Sequence, residues 1–149
     1  MFVRLAMDYD TEDLIEMGRL NCEQTCPGDV YSEQRAMDLI YAYHEEANPT
    51  FFVVEASGRK VTGFLMARML QFDHRDGFYT TQSVLFVRPE NRGSRAAVML
   101  VKHLIEWSRQ IGASAIIGGN DNGFRSERTA GFLEHFGFER VGFAHRKRL

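Results

Sequence analysis

The residues best suited to chemistry lie in a short loop between an apolar segment and an amphipathic segment. Residues 84–87 are apolar and Pro89 begins a turn, so a strand is predicted to end there. The turn and loop carry three arginines: Arg88, Arg92 and Arg95. Backbone N–H groups and the dipole at the start of a helix bind anions, and arginine adds full charge. The loop therefore predicts a phosphate or diphosphate site, although a solvated basic turn would explain the same residues.

This loop is not the phosphate-binding loop of nucleotide hydrolases, because no Gly-Lys-Ser/Thr follows it. Downstream, residues 114–117 read as a short buried strand, a helix follows, and residues 132–143 read FLEHFGFERVGF. With the loop, this order resembles the GCN5-related N-acetyltransferase (GNAT) family, whose signature is V-x-P-x-x-R-G-x-G-x-G/A, then helix, strand, helix and an lGFe..g segment. The resemblance is sharpest over residues 80–145. It implies an α/β (α+β) fold, with a mixed, largely antiparallel sheet flanked by helices and a splayed strand pair forming the acyl-CoA cleft.

The resemblance also implies a co-substrate, acetyl-CoA, and where it binds. The backbone of the strand before the loop would hold the pantetheine arm, and the loop N–H groups would hold the diphosphate. The implied binding residues are Leu85, Phe86, Val87, Arg92, Gly93, Ser94, Arg95, Ala96, Ala97 and Ser126. Three positions depart from the family pattern. Arg95 replaces the middle glycine, Ser126 replaces an asparagine, and Leu133 replaces a tyrosine that often protonates the leaving thiolate.

Acetyl transfer from a thioester needs a neutral amine, a held oxyanion and a stabilised thiolate. Glu127, Asp121 and Tyr79 are the candidate catalytic residues, although each also reads as an ordinary surface or capping residue. Gln82 and Ser83 lie on the central strand but are poor bases. By analogy with the fold alone, the acceptor is expected beside Tyr31, Glu23 and Tyr43.

Two functions follow from this reading. The first is an N-acetyltransferase that moves an acetyl group from acetyl-CoA to a primary amine of a small molecule or a protein, by direct attack. The alternative is a catalytically weak or inactive acyl-CoA-binding regulatory or interaction module of the same fold, because leucine at position 133 cannot act as an acid.

Composition limits the remaining classes. The chain has 149 residues, which suits a single domain over 1–149, and no apolar run is long enough to cross a bilayer. With no signal-peptide pattern at the start, the expected location is the cytoplasm. Cys22 and Cys26 lack two further ligands for zinc, so no metal is expected. A homodimer stays open.

Charge is unevenly distributed along the chain. Residues 1–74 carry 6 basic and 13 acidic side chains, whereas residues 75–149 carry 12 and 7. This asymmetry fits a polyanionic ligand on one side and a cationic acceptor on the other, or simply unequal solvated faces. The basic run 145–148 is short and the chain is net acidic, which disfavours nucleic acid as a partner.

Several elements are predicted to position these residues. Residues 2–7, 51–55, 61–70, 78–87 and 138–147 read as strands, with a turn at 73–77 that makes an antiparallel hairpin of two of them. Helices are expected over 11–22, after Ser32, after the loop and over 125–136. In the helix after the loop, one stripe is predicted to enter the core: Ala97, Leu100, Leu104, Trp107 and Ile111.

Overall fold

The computed structural model describes residues 1–149, whose strands form one five-stranded sheet in chain order. The strands are β1 (Phe2–Leu5), β2 (Thr50–Glu55), β3 (Val61–Gln71), β4 (Phe78–Val87) and β5 (Ile116–Ile117). The first four pair antiparallel, and β5 runs parallel to β4. The sheet confirms the predicted mixed, largely antiparallel fold, including the β3–β4 hairpin.

Four helices flank the sheet: α1 (Thr11–Thr25), α2 (Glu33–Glu46), α3 (Ala96–Gln110) and α4 (Ser126–Glu134). Ser32 caps α2, because its hydroxyl accepts the N–H of Arg35 at 3.2 Å. The carboxylate of Asp10, at the start of α1, instead accepts Arg4 Nη1 at 2.6 Å. None of the helices is both long and apolar enough to span a membrane.

The sheet separates two hydrophobic cores. On one face, Met17 of α1 and Ile40 of α2 pack with Phe64 of β3. On the other face, Leu100 and Leu104 of α3 are fully buried against the sheet. The predicted stripe of α3 is confirmed at these two leucines, since residues at helical spacing share one face of the helix. At one edge of the sheet, the two-residue strand β5 covers only a small part of β4.

The chain after α4 corrects one prediction. Residues 138–147 form no strand, and everything from residue 139 to residue 149 is exposed. A strand needs a partner, and β5 at the sheet edge has only two residues to offer. Two helix boundaries also differ: α1 extends three residues beyond the predicted end at residue 22, and α4 covers Ser126–Glu134 instead of 125–136.

Candidate active site

The most prominent feature of the β5 edge is an opening between two parallel strands. Only Thr80 and Thr81 of β4 are paired with β5, through Ile116 and Ile117. Beyond Thr81 the strands separate, and the side chain of Gln82 bridges them by accepting the N–H of Gly119 at 3.1 Å. The rest of β4 therefore has a free edge on this side, as the predicted splayed pair requires.

A bulge decides which backbone groups face the opening. The register shifts where Met66 faces Val84 and Ala67 faces Gln82, so Ser83 is the extra residue of β4. Past the bulge, the N–H of Arg88 donates to Thr62 of β3 at 2.9 Å. Successive residues of a strand direct their N–H and C=O groups to opposite sides.

It follows that the backbone N–H and C=O groups of Leu85 and Val87 point into the opening, whereas those of Phe86 point toward β3. The Phe86 side chain is 4% exposed and belongs to the core on the α1 face. Of the three strand residues implied to hold pantetheine, the structure therefore places two at the opening and one in the sheet.

The loop at the end of β4 uses its N–H groups alternately. Those of Arg92, Ser94 and Ala96 are bonded within the loop, to Pro89 O, Asn91 O and Ser94 Oγ. Those of Gly93, Arg95 and Ala97 have no partner in the chain. Gly93 has a φ of 85°, a conformation that glycine adopts readily. The result is a set of unpaired donors at the N-terminus of α3, where the helix dipole favours an anion.

The three arginines of this region have different roles. Arg88 was expected to face the phosphate, but its Nη2 pairs with Asp13 and Glu16 of α1 at 2.6 and 2.8 Å. Because side chains alternate along extended backbone, Arg88 shares the face of Phe86, which is the face that α1 covers with its acidic first turns. Arg92 also reaches α1, where its Nη2 donates to Gln24 at 2.6 Å. Arg95 is exposed and its guanidinium makes no hydrogen bond or ion pair, so this side chain is free to contact a phosphate.

On the β5 side of the opening, Ser126 is the first residue of α4. Its hydroxyl donates to Asn120 Oδ1 at 2.7 Å, and Asn120 Nδ2 donates to Phe124 O and Thr129 Oγ1. Asn120 thus fastens the loop after β5 to α4. Sequence reasoning missed it, because one asparagine in a Gly-Asn-Asp loop gives no more signal than an ordinary turn.

The candidate catalytic residues do not converge. Tyr79 packs its ring against Phe72, with centroids 5.0 Å apart, at the hairpin end of β4. Asp121 is exposed in the loop after β5. The Glu127 side chain is 87% exposed and pairs with Arg140 at 2.9 Å. None of the three hydrogen-bonds to the residues of the opening.

The expected acceptor residues are also dispersed. Tyr31 packs over Gly18 of α1, and burial raises the pKa of its hydroxyl, with Glu33 adding to the effect. Glu23 pairs with Arg19 on the exposed side of α1. Tyr43 donates to Ala6 O at 2.7 Å, over β1 and β2 and away from β4. Burial also raises the pKa of Tyr43, so both phenols stay protonated at neutral pH.

A surface depression of about 580 Å³ lies away from the opening, at the β3–β4 hairpin, and is lined by Gln71, Phe78 and the turn between them. No group of three or more His, Cys, Asp or Glu side chains is arranged to hold a metal ion. The candidate site is thus described by its free backbone groups.

Comparison with known proteins assigns this arrangement to a class. The sequence profile of the acetyltransferase (GNAT) family matches residues 15–138. The chain therefore belongs to the GNAT acetyltransferase family. No curated protein sequence matches it.

Solved structures with the same fold cover nearly the whole chain. An acetyltransferase from Trypanosoma brucei superposes with a TM-score of 0.77 at 19% identity, over 99% of this chain and 98% of that one. A GNAT family acetyltransferase from Staphylococcus aureus gives 0.66 at 18%, over 98% of each chain. A transcriptional regulator from Bacillus halodurans C-125 gives 0.80 at 16%, over 99% of this chain and 98% of that one. At these identities the likeness concerns the fold alone.

Proposed function

We propose that the chain transfers an acetyl group from acetyl-CoA to a primary amine of a small molecule or a protein, by direct attack of the amine. The observation that carries this proposal is the set of unpaired N–H groups of Gly93, Arg95 and Ala97 at the start of α3. A diphosphate supplies the acceptor oxygens that such donors need, and the free charge of Arg95 adds to the helix dipole.

The opening along β4 suits the remainder of this co-substrate. The stretch 82–87 is about 20 Å long at the usual rise of a strand. Along it, the backbone of Leu85 offers its N–H and C=O groups, and that of Val87 its N–H group, to the amides of a pantetheine arm. Such an arm would run from the loop toward Gln82, and its thioester would then lie where β4 and β5 separate.

The chemistry at that point needs little from side chains. The neutral amine attacks the thioester carbonyl carbon, a C–N bond forms, and the C–S electron pair leaves with the sulfur. A backbone N–H of β4 directed at the carbonyl oxygen would stabilise the oxyanion. The amine loses its proton to water or to one of the candidate bases, Glu127, Asp121 or Tyr79.

A second function is favoured by one observation. Leu133 is 4% exposed and has no group that can protonate a thiolate. A chain that binds acyl-CoA and transfers its acyl group slowly or not at all would serve as a regulatory or interaction module. The transcriptional regulator among the structural neighbours is compatible with this alternative.

One experiment separates the two functions. Acetyl-CoA binding is measured by calorimetry, and release of free CoA thiol is then followed across a panel of primary amines. Binding with thiol release that depends on the amine supports the transferase. Binding without release from any amine supports the binding module, and no binding contradicts both.

A further inference from the structure

Gln82 has an unused hydrogen-bond donor at the point where β4 and β5 separate. The residue is 8% exposed, and its Oε1 accepts the N–H of Gly119 at 3.1 Å. Since an N–H needs an acceptor, this bond fixes the orientation of the amide and turns Nε2 away from Gly119. Nε2 has no hydrogen-bond partner in the chain. Asn91 Oδ1 is the only fully enclosed side-chain polar atom without a partner, so Gln82 Nε2 is not fully enclosed. Gln82 Nε2 is therefore a free donor that solvent reaches, on a side chain that bridges β4 and the residues after β5.

The amide lies beside the residue where the family resemblance expects a tyrosine. A Cβ atom on Gly118 would be 3.3 Å from Leu133 Cδ1, 3.3 Å from Phe138 Cε1 and 3.5 Å from Gln82 Oε1. Gln82, Leu133 and Phe138 therefore meet around this one glycine. Leu133 and Phe138 are apolar, so the Gln82 amide supplies the polar group of this cluster.

We propose that Gln82 Nε2 donates a hydrogen bond to the CoA sulfur as the C–S bond breaks, in the role that a tyrosine at position 133 would otherwise fill. This inference rests on the proposed acetyl transfer. The amine nitrogen forms the new C–N bond, the C–S electron pair moves to sulfur, and the amine proton leaves to water or to a candidate base. Gln82 keeps both of its protons throughout.

A hydrogen bond is sufficient for this leaving group. A thiol has a pKa near 8.5, so its anion forms far more readily than an alkoxide and needs stabilisation rather than full protonation. Donors to a charged partner are also stronger than neutral ones. The apolar surroundings formed by Leu133 and Phe138 strengthen the bond further, because the local dielectric is low.

Two substitutions isolate the donor. Gln82→Glu keeps an oxygen for the N–H of Gly119 and loses the donor once its carboxyl ionises, whereas Gln82→Leu loses both. Gln71→Glu makes the same charge change at the exposed end of β3 and serves as the control. The readouts are the pKa of the bound CoA thiol, from thiolate absorbance, together with kcat and the KM for acetyl-CoA.

We expect Gln82→Glu and Gln82→Leu to raise the pKa of the bound thiol and to lower kcat about 10- to 100-fold. The KM for acetyl-CoA should change by less than about threefold, because the bond forms mainly as the thiolate develops. The kcat of Gln82→Glu relative to the original chain should recover as pH falls, because a protonated carboxyl regains a donor. Gln71→Glu should match the original chain in every measurement.

Other results overturn the inference. If CoA binds but Gln82→Glu leaves the bound thiol's pKa and kcat unchanged, Gln82 has no role at sulfur, and the proposed transferase stands without it. If the original chain does not bind CoA, the proposed function fails and the role of Gln82 fails with it. Should Gln82→Leu not fold, the comparison of Gln82→Glu with Gln71→Glu decides alone.

Discussion

Arg88 Nη2 lies 2.6 Å from Asp13 Oδ1, which joins the end of β4 to the first turns of α1. The same nitrogen lies 2.8 Å from Glu16, and Arg88 Nε donates to Val61 O at 3.0 Å. The arginine side chain is only 11% exposed. An arginine enclosed by two carboxylates and a carbonyl holds the loop against α1, and its charge is not available to a phosphate.

Replacing this arginine should therefore weaken the fold. Arg88→Ala leaves two carboxylates without their partner, but these are 40% and 50% exposed, so water compensates in part. We expect a loss of about 1–3 kcal/mol, between the effects of exposed and buried pairs. Urea unfolding measures it, with Arg109→Ala on the exposed face of α3 as control. Equal unfolding midpoints for both variants would show that the pair does not stabilise the fold.

Charge reversal at Arg95 should weaken CoA binding. Arg95 is exposed and unpaired at the start of α3, beside the free loop N–H groups, so Arg95→Glu places a negative charge against the diphosphate. We expect an increase in Kd of about tenfold or more at low salt. The difference should shrink as salt screens the charge. Arg109→Glu, at the opposite end of the same helix, should bind CoA like the original chain. A Kd for Arg95→Glu equal to that control would remove the loop from the site.

Two substitutions of Arg92 are expected to weaken CoA binding to different extents. Its guanidinium bonds to Gln24 and Val87 O and lies over the Phe86 ring, 5.7 Å from the centroid. Arg92→Glu should also raise the Kd for CoA, by about tenfold, because a carboxylate next to the loop repels the ligand. Arg92→Gln removes the charge without reversing it and should have a smaller effect. Calorimetry at two salt concentrations compares them, and identical Kd values for all three chains would contradict the prediction.

Structure could be predicted from the sequence where a local pattern of residues is compatible with only one secondary structure. The stripe with Leu100 and Leu104 predicts the buried face of α3, and the turn at 73–77 predicts the β3–β4 hairpin, because helical and strand periodicities are local. The direction of Arg88 was not predictable in this way, since its partners Asp13 and Glu16 are 75 and 72 positions away. Gln82 was recognised only as a poor base, because its free donor depends on a bond to Gly119 that no pattern indicates. The strand predicted over 138–147 is absent for a related reason. Residue types along one segment do not show whether a neighbouring strand is long enough to pair with it.

Leu133 should matter for stability. It is 4% exposed in α4 and packs toward Gly118. Leu133→Ala leaves a cavity, and we expect a loss of about 2–5 kcal/mol in the free energy of unfolding. Phe143→Ala is the control, since Phe143 is 94% exposed and its replacement should change stability by about 0.5 kcal/mol or less. Equal losses for the two variants would show that Leu133 does not support the core.

His103 should make stability depend on pH. Its ring packs edge-on against Phe52, with centroids 4.8 Å apart, and burial lowers its pKa from the usual 6.5. Below that pH the unfolded chain binds a proton that the folded chain does not, so stability falls as pH decreases from about 7 and levels off below the native pKa. His103→Leu should lose less stability than the original chain between pH 7.5 and 5.5. Parallel pH profiles from urea titrations of the two chains would contradict this.

The acetyl group is expected to pass directly to the amine, without a covalent intermediate on the protein. Cys22 and Cys26 lie at the end of α1, and burial raises the pKa of the Cys22 thiol, with Cys26, Asp29 and Glu23 adding to the effect. A thiol with a raised pKa has little thiolate at neutral pH and is a weak nucleophile. Changing both cysteines to Ala should therefore leave turnover largely intact, and double-reciprocal plots should intersect because both substrates bind before transfer. The rate should also rise with pH as the acceptor amine loses its proton. Parallel plots with an acetylated cysteine trapped during turnover would establish a covalent intermediate instead, since each half-reaction would then proceed without the other substrate.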